Sequence, residues 1–169
     1  AKACSEINKV VVSTDSLEYA KIAKSYGAEI PYIRKAELSE DDTSSFEVVK
    51  DCLDFYKDRM VEFDYIILLE PTSPVRNIEE INEVLSMLKK KYIKTIVTVC
   101  RAKSCHPSFM YSMNKELKLE HLRLGEKISR RQEASNIFYP EGSIYASEVG
   151  TYLKEKGFYH NQTHGYEIS

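Results

Sequence analysis

The sequence predicts an α/β domain with a mostly parallel sheet. Three observations carry that expectation. Short apolar runs rich in β-branched residues alternate with longer stretches of helical periodicity. The run Tyr65-Ile66-Ile67-Leu68-Leu69 leads without a break into Glu70-Pro71-Thr72-Ser73-Pro74-Val75-Arg76, where two closely spaced prolines forbid both strand and helix. A fixed loop at the carboxyl end of a buried strand is where open α/β sheets bind ligands. This loop carries a carboxylate, two hydroxyls and a guanidinium, a set suited to hydroxyl-rich and anionic ligands. An ordinary strand-to-helix connection capped by Ser73 is the plainer reading of the same residues.

The elements follow in order. Val10-Val11-Val12 reads as a short strand ending in Ser13-Thr14-Asp15. Leu17 to Tyr26 reads as a helix, with Leu17, Ala20, Ile22 and Ala23 at helical spacing and Gly27 in the C′ position. Glu29 to Ile33 is extended, and 34–45 is polar and irregular. Phe46 to Met60 is helical, with Val48, Val49, Cys52, Leu53 and Tyr56 on one face and Ser44 or Ser45 as N-cap. Tyr65 to Leu69 is the central strand. Ile78 to Lys91 is a second amphipathic helix, on Ile81, Val84, Leu85 and Leu88, and Thr95 to Cys100 is a further strand. The regularity then fails. The stretch 101–132 reads as a hairpin or arm, with alternations such as Leu117-Lys118-Leu119-Glu120. Pro140-Glu141-Gly142 reads as a turn before a strand at 143–146, and 148–156 as a short helix stopped by Gly157. With no repeat or linker, residues 1–169 read as a single domain.

Composition narrows the function. Apolar content is 43% and charged content 30%, and the net charge is −2. That balance offers no basic footprint for nucleic acid and no polybasic membrane patch. Lys89-Lys90-Lys91 reads as cations at a helix C-terminus. No apolar run reaches bilayer length, and no signal peptide is recognisable, so a cytoplasmic protein is expected. Cys4, Cys52, Cys100 and Cys105 form no CxxC pair and read as thiols in a reducing compartment.

Several segments taken together resemble the acylneuraminate cytidylyltransferases, also called CMP-sialic acid synthetases. Ser13-Thr14-Asp15 resembles that family's strand ending in STD. Residues 26–31 resemble its YGAEVP stretch, and Arg34-Lys35-Ala36-Glu37-Leu38 with Asp42-Thr43-Ser44-Ser45 resembles RPAEL…DxSS. Leu68 to Arg76 resembles LLQPTSPLR. Arg130-Arg131-Gln132 with 139–145 resembles RRQ…YRPNGAIY. The match covers nearly the whole chain in order. It implies a three-layer α/β/α nucleotidyltransferase fold, Rossmann-like with a hairpin or arm insertion, usually dimeric. It implies that CTP, with Mg²⁺ as cofactor, reacts with a sialic-like nonulosonic acid to give a CMP-sugar and pyrophosphate.

Residue by residue, the resemblance places Arg34, Ser45 and Asp15 at the nucleotide. Glu70, Thr72, Arg131, Gln132, Tyr145, Phe158 and Tyr159 fall at the sugar acid, with Arg131 suited to the substrate carboxylate. Read by themselves, these residues keep second roles open. Arg34 could pair with Glu37, Ser45 could cap a helix, and Asp15 could form a turn or cap. Arg131 could be part of a solvated basic turn, and Phe158 and Tyr159 could be core.

The chain also departs from the family pattern. The family's glycine- and lysine-rich phosphate loop and its DIDxxxD metal segment have no counterpart in residues 1–169. The expectation is therefore a domain incomplete at both ends, with no metal ligands of its own and with catalytic residues unassigned. The activity of residues 1–169 alone is expected to be poor. Glu70 replaces a glutamine, Tyr139 an arginine and Glu141 an asparagine, which leaves open a sugar other than N-acetylneuraminate itself, such as a legionaminate-type acid. Two other readings compete. One is a cytidylyltransferase for another sugar acid, such as the eight-carbon acid of lipopolysaccharide. The other is a noncatalytic nucleotide-binding or assembly domain.

Overall fold

Each main helix starts where the sequence supplies a side-chain acceptor for its unsatisfied N–H groups. In the computed structural model, which describes residues 1–168 except 91, 103, 104, 123 and 125–129, and of Arg131 only the backbone, α1 spans Leu17–Ser25. Ser16 caps it by accepting from the Tyr19 N–H. Gly27, at φ +81°, turns the chain out of it. Helix α2 (Ser45–Lys57) opens on a complete capping box between Ser44 and Glu47. Helix α3 (Ile78–Leu88) is capped by Asn77. Lys91, at the end of the basic run, lies outside the described residues.

Four strands form the main sheet: β1 (Tyr65–Leu68), β2 (Thr95–Arg101), β5 (Phe138–Glu148) and β6 (Thr163–Glu167), in the order β1-β5-β2-β6. β2 and β6 are parallel, whereas β5 runs antiparallel to both β1 and β2. Three strands share one direction and the fourth is wedged between them in the opposite one, so the sheet is mixed rather than mostly parallel: two of its three pairings are antiparallel. Two short strands, β3 (Tyr111–Met113) and β4 (Leu119–His121), pair as a separate hairpin, so the arm read from the sequence is present. Helix α4 (Val149–Glu155) follows β5 directly. Among the described residues, the outer edge of β1 has no strand partner.

Strand alternation sends apolar side chains to two cores. On one face Ile67, Ile96, Ile144 and Ala146 pack against Ile81, Val84, Leu85 and Leu88 of α3. On the other, Ile66, Leu68, Val97 and Val99 pack against Phe46, Val49 and Leu53 of α2 and Tyr152 of α4, with Phe158 completing the cluster. Helices on both faces of a central sheet make the three layers.

Two further expectations are corrected. Val10–Val12 is not a strand: Val11 makes only an isolated parallel bridge to Glu29, with the Val12 N–H donating to the Glu29 carbonyl and the Glu29 N–H to that of Val10. Pro140-Glu141-Gly142 is not a turn before a strand. It lies within β5, in a bulge. Tyr145 stands opposite Val97, yet Pro140 stands opposite Val99, so the backbone at 141–144 bows out of register. Gly142 at φ +90° makes the bend. The fully buried Thr98 hydroxyl fills the bow. It accepts from the Ile144 N–H (3.0 Å), donates to the Ile144 carbonyl (3.2 Å) and lies 3.1 Å from Ser143 Oγ.

This packing has two measurable consequences in denaturant unfolding. Leu88→Ala should cost ~2–5 kcal/mol by opening a cavity under the sheet. Thr98→Val, near-isosteric, should cost ~1–3 kcal/mol by stranding the Ile144 N–H. A Thr98→Val protein as stable as wild type would show that the bulge holds without its plug.

Candidate functional site

A cleft of about 690 Å³ opens between the segment 9–13, helix α2, and strand β1 with the loop after it. Its floor is apolar, formed by residues such as Val11, Val49, Leu53 and Ile66. Its mouth is polar, formed by Ser13, Arg34, Ser39, Ser45, Glu70 and Thr72. The polar end coincides with the carboxyl end of β1, where the sequence places its ligand loop.

Helix capping decides which serine is available. Ser44 takes the capping role at α2, bonding the Glu47 N–H, so Ser45 one position on is left to line the cleft. Likewise Ser16, not Asp15, caps α1. Asp15 Oδ1 instead lies 3.7 Å from Arg34 Nη2, and Arg34 Nε donates to Ser39 Oγ at 3.0 Å. The Arg34 N–H donates to the Thr14 carbonyl, which ties this segment to the end of the first apolar run. Arg34 therefore pairs with Asp15 rather than Glu37, and its guanidinium is aimed along the mouth. The Asp15 side chain is 56% exposed, so solvent screens the pair. Sequence reasoning did not single out Ser39, which holds Arg34, or Ser13. The Ser13 hydroxyl is buried at the cleft without a hydrogen-bond partner. Only the spacing of Ser39 from Arg34 in the polar stretch pointed to it.

Behind the cleft residues Lys9 and Tyr56, Glu29 accepts from both, and both bonds hold its carboxyl below the ordinary value. Burial, with Asp51 and Glu29 nearby, pushes the Cys52 thiol up to about 11, so it is a protonated wall residue rather than a nucleophile.

A second group of side chains meets around Gly142. A methyl placed there would lie 3.5 Å from the Tyr145 hydroxyl, 3.6 Å from Ser73 Oγ and 3.9 Å from Glu70 Oε2. The Tyr145 ring contacts Phe158 at 5.4 Å and Tyr159 edge-on at 6.1 Å between centroids. Burial, then a hydrogen bond with Tyr159 and the charges of Glu70 and Glu141, raises the Tyr145 phenol well above its ordinary value. It stays a neutral donor across the working range. Phe158 is buried core that backs Tyr145, while Tyr159 is exposed.

The structure thus brings Arg34, Ser45, Glu70 and Thr72 to one cleft, with Asp15 paired to Arg34 but not lining it, and Glu70, Tyr145, Phe158 and Tyr159 to an adjoining wall. Glu70 belongs to both. Gln132 is exposed in a 3₁₀ turn at Arg131–Glu133 and does not line the cleft. The Arg131 side chain lies outside the described residues.

Comparison with known proteins agrees with this architecture. The family model described as Cytidylyltransferase matches residues 1–167. An N-acylneuraminate cytidylyltransferase of Streptococcus agalactiae serotype V is 32% identical over 160 residues, covering 95% of this chain and 37% of that protein. A CMP-N,N'-diacetyllegionaminic acid synthase of Legionella pneumophila is 32% identical over 155 residues, covering 92% of this chain and 66% of that protein. A pseudaminic acid cytidylyltransferase of Campylobacter jejuni is 26% identical, covering 88% and 63%. The chain therefore spans between 37% and 66% of the length of these relatives. The solved structure of a CMP:2-keto-3-deoxy-manno-octonic acid synthetase complexed with CTP superposes with a TM-score of 0.63 at 14% identity, over 98% of this chain and 74% of that one. At that identity the likeness is one of fold.

Gly142 gives the geometry a direct check. Gly142→Ala places a side chain at a left-handed backbone position and should destabilise by about 1–2 kcal/mol. Gly150→Ala, in α4 with open space around it, should stabilise by ~0.5–1 kcal/mol. Equal effects in thermal or chemical unfolding would contradict the bulge.

Proposed function

The chain belongs to the cytidylyltransferase family, and from that premise we propose that its cleft binds CTP and a sialic-like nonulosonic acid for CMP transfer. The products are a CMP-sugar and pyrophosphate. The observation that carries this reading is that Arg34, Ser45, Glu70 and Thr72 all line one cleft.

In this reading Arg34 donates to the O2 and N3 acceptors of cytosine while Asp15 and Ser39 hold its fork in place, and the Ser45 hydroxyl completes the base edge. The anomeric hydroxyl of the sugar attacks the α-phosphorus. The new P–O bond forms as the bond to the bridging oxygen breaks, and pyrophosphate leaves. The chain's own contribution is positioning. Glu70 accepts hydrogen bonds from sugar hydroxyls, Tyr145 donates one, and Phe158 and Tyr159 wall the acyl substituent. A carboxylate at Glu70 repels the carboxylate that every nonulosonic acid carries, so it orients the sugar rather than choosing among such acids; relatives named for N-acylneuraminate and for N,N'-diacetyllegionaminic acid are both 32% identical.

Magnesium belongs to the same reading of the resemblance. Among the described residues, however, no group of three or more His, Cys, Asp or Glu is placed to hold a metal ion. No step is assigned to the ion. The reading also places the protein in the cytoplasm as a homodimer. Among the described residues no helix is long and apolar enough to cross a membrane.

The test is pyrophosphate release from CTP with a panel of nonulosonic acids, run on residues 1–169 beside any longer natural form of the chain. Release with CTP but not UTP, with one acid preferred, is expected. Arg34→Ala should lower kcat/KM for CTP by roughly 10–100-fold, the value of a charged hydrogen bond. No release in any form, together with no binding of CTP, would overturn the assignment.

A further inference from the structure

The loop after β1 carries an arginine that its sequence offers as a ligand group, and the structure uses it otherwise. Arg76 Nε donates to the Ser143 carbonyl at 2.7 Å, and its Nη2 donates to the Glu70 carbonyl. Its guanidinium therefore bridges two segments far apart in sequence: the loop that presents Glu70 and Thr72, and the β5 bulge that leads to Tyr145. The Glu70 carbonyl also receives the Ser73 N–H at 3.3 Å, closing the loop on itself. On the other side, the Ser143 N–H donates to Glu141 Oε2 at 2.9 Å, and Ser143 Oγ lies against Thr98. The β1–β5 ladder pairs Leu68 with Tyr145, but beyond that ladder Arg76 makes the described hydrogen bonds that tie the loop to the bulge.

We infer that Arg76 is a positioning residue: its fork sets the spacing between Glu70 and Tyr145, and so the fit of the sugar acid rather than of the nucleotide. The inference rests on the functional reading above for what occupies the wall, but the clamp itself rests on geometry alone. Two backbone carbonyls on separate segments need a planar donor with divergent N–H groups, which lysine lacks. Partial burial lowers the pKa of this guanidinium from its ordinary value, and the nearby charges of Glu141 and Glu70 oppose that shift. A charge-only role would therefore survive in Arg76→Lys, and a bridging role would not.

The experiment compares wild type, Arg76→Lys and Arg76→Gln by hydrogen–deuterium exchange and by calorimetric titration with CMP and with N,N'-diacetyllegionaminic acid. Both variants should speed amide exchange tenfold or more in peptides covering 70–76 and 141–146, while α3 and β6 exchange as in wild type. The affinity for the sugar acid should fall at least tenfold, and that for CMP should stay within twofold. Wild-type exchange in either segment, or full rescue by lysine, would overturn the clamp. An equal loss of CMP and sugar-acid affinity would overturn the assignment to the sugar side. Wild-type protein that binds no nonulosonic acid would defeat the reading of the site, while the exchange data still judge the clamp.

Discussion

The site depends on one strand running against its neighbours. β5 takes its backbone partners from β1 on one side and β2 on the other, so its amides and carbonyls are satisfied where water is absent. That double pairing allows Ile144 and Ala146 to be fully buried against α3 while Tyr145, between them, faces the opposite layer. It also tolerates an interruption. The bulge at 141–144 would leave polar backbone groups stranded in the core, but Thr98 and Arg76 supply the missing partners. A local irregularity thereby becomes a fixed platform for ligand-facing groups.

The electrostatics of that platform are lopsided. Glu70 and Glu141 stand on it, and Arg76 beside them donates to backbone carbonyls. The wall therefore presents acceptors and neutral phenols, suited to hydroxyl and amide donors. Arg34 and several hydroxyls also line the cleft, groups suited to the acceptors of a base or anion.

Much of this was legible in the residues. Periodicity marked α1, α2 and α3 to within a few residues, because one apolar face per helix is what burial against a sheet demands. The PTSP loop was legible because prolines constrain the backbone locally. The direction of β5 was not, since strand polarity follows from long-range pairing that leaves no local mark. For the same reason Pro140-Glu141-Gly142 read as a turn: a glycine at positive φ looks alike in a turn and in a bulge. At the site, Arg34, Ser45, Glu70 and Tyr145 came from resemblance, and geometry brings them to adjoining surfaces. The choice between Ser44 and Ser45 as cap needed coordinates, because both precede the same helix. Arg76 was misjudged as a ligand group, since sequence does not say whose carbonyl a guanidinium will find.

The central claim is that Arg34 and Ser45, in the cleft they share with Glu70 and Thr72, recognise a cytidine nucleotide. Isothermal titration of the chain with CMP and with UMP tests it most directly. The two bases differ at the edge that Arg34 and Ser45 would read. The account predicts a saturable heat for CMP, at least tenfold tighter than for UMP, that is lost in Arg34→Ala. Equal affinity for the two nucleotides, or CMP binding indifferent to Arg34→Ala, would contradict it.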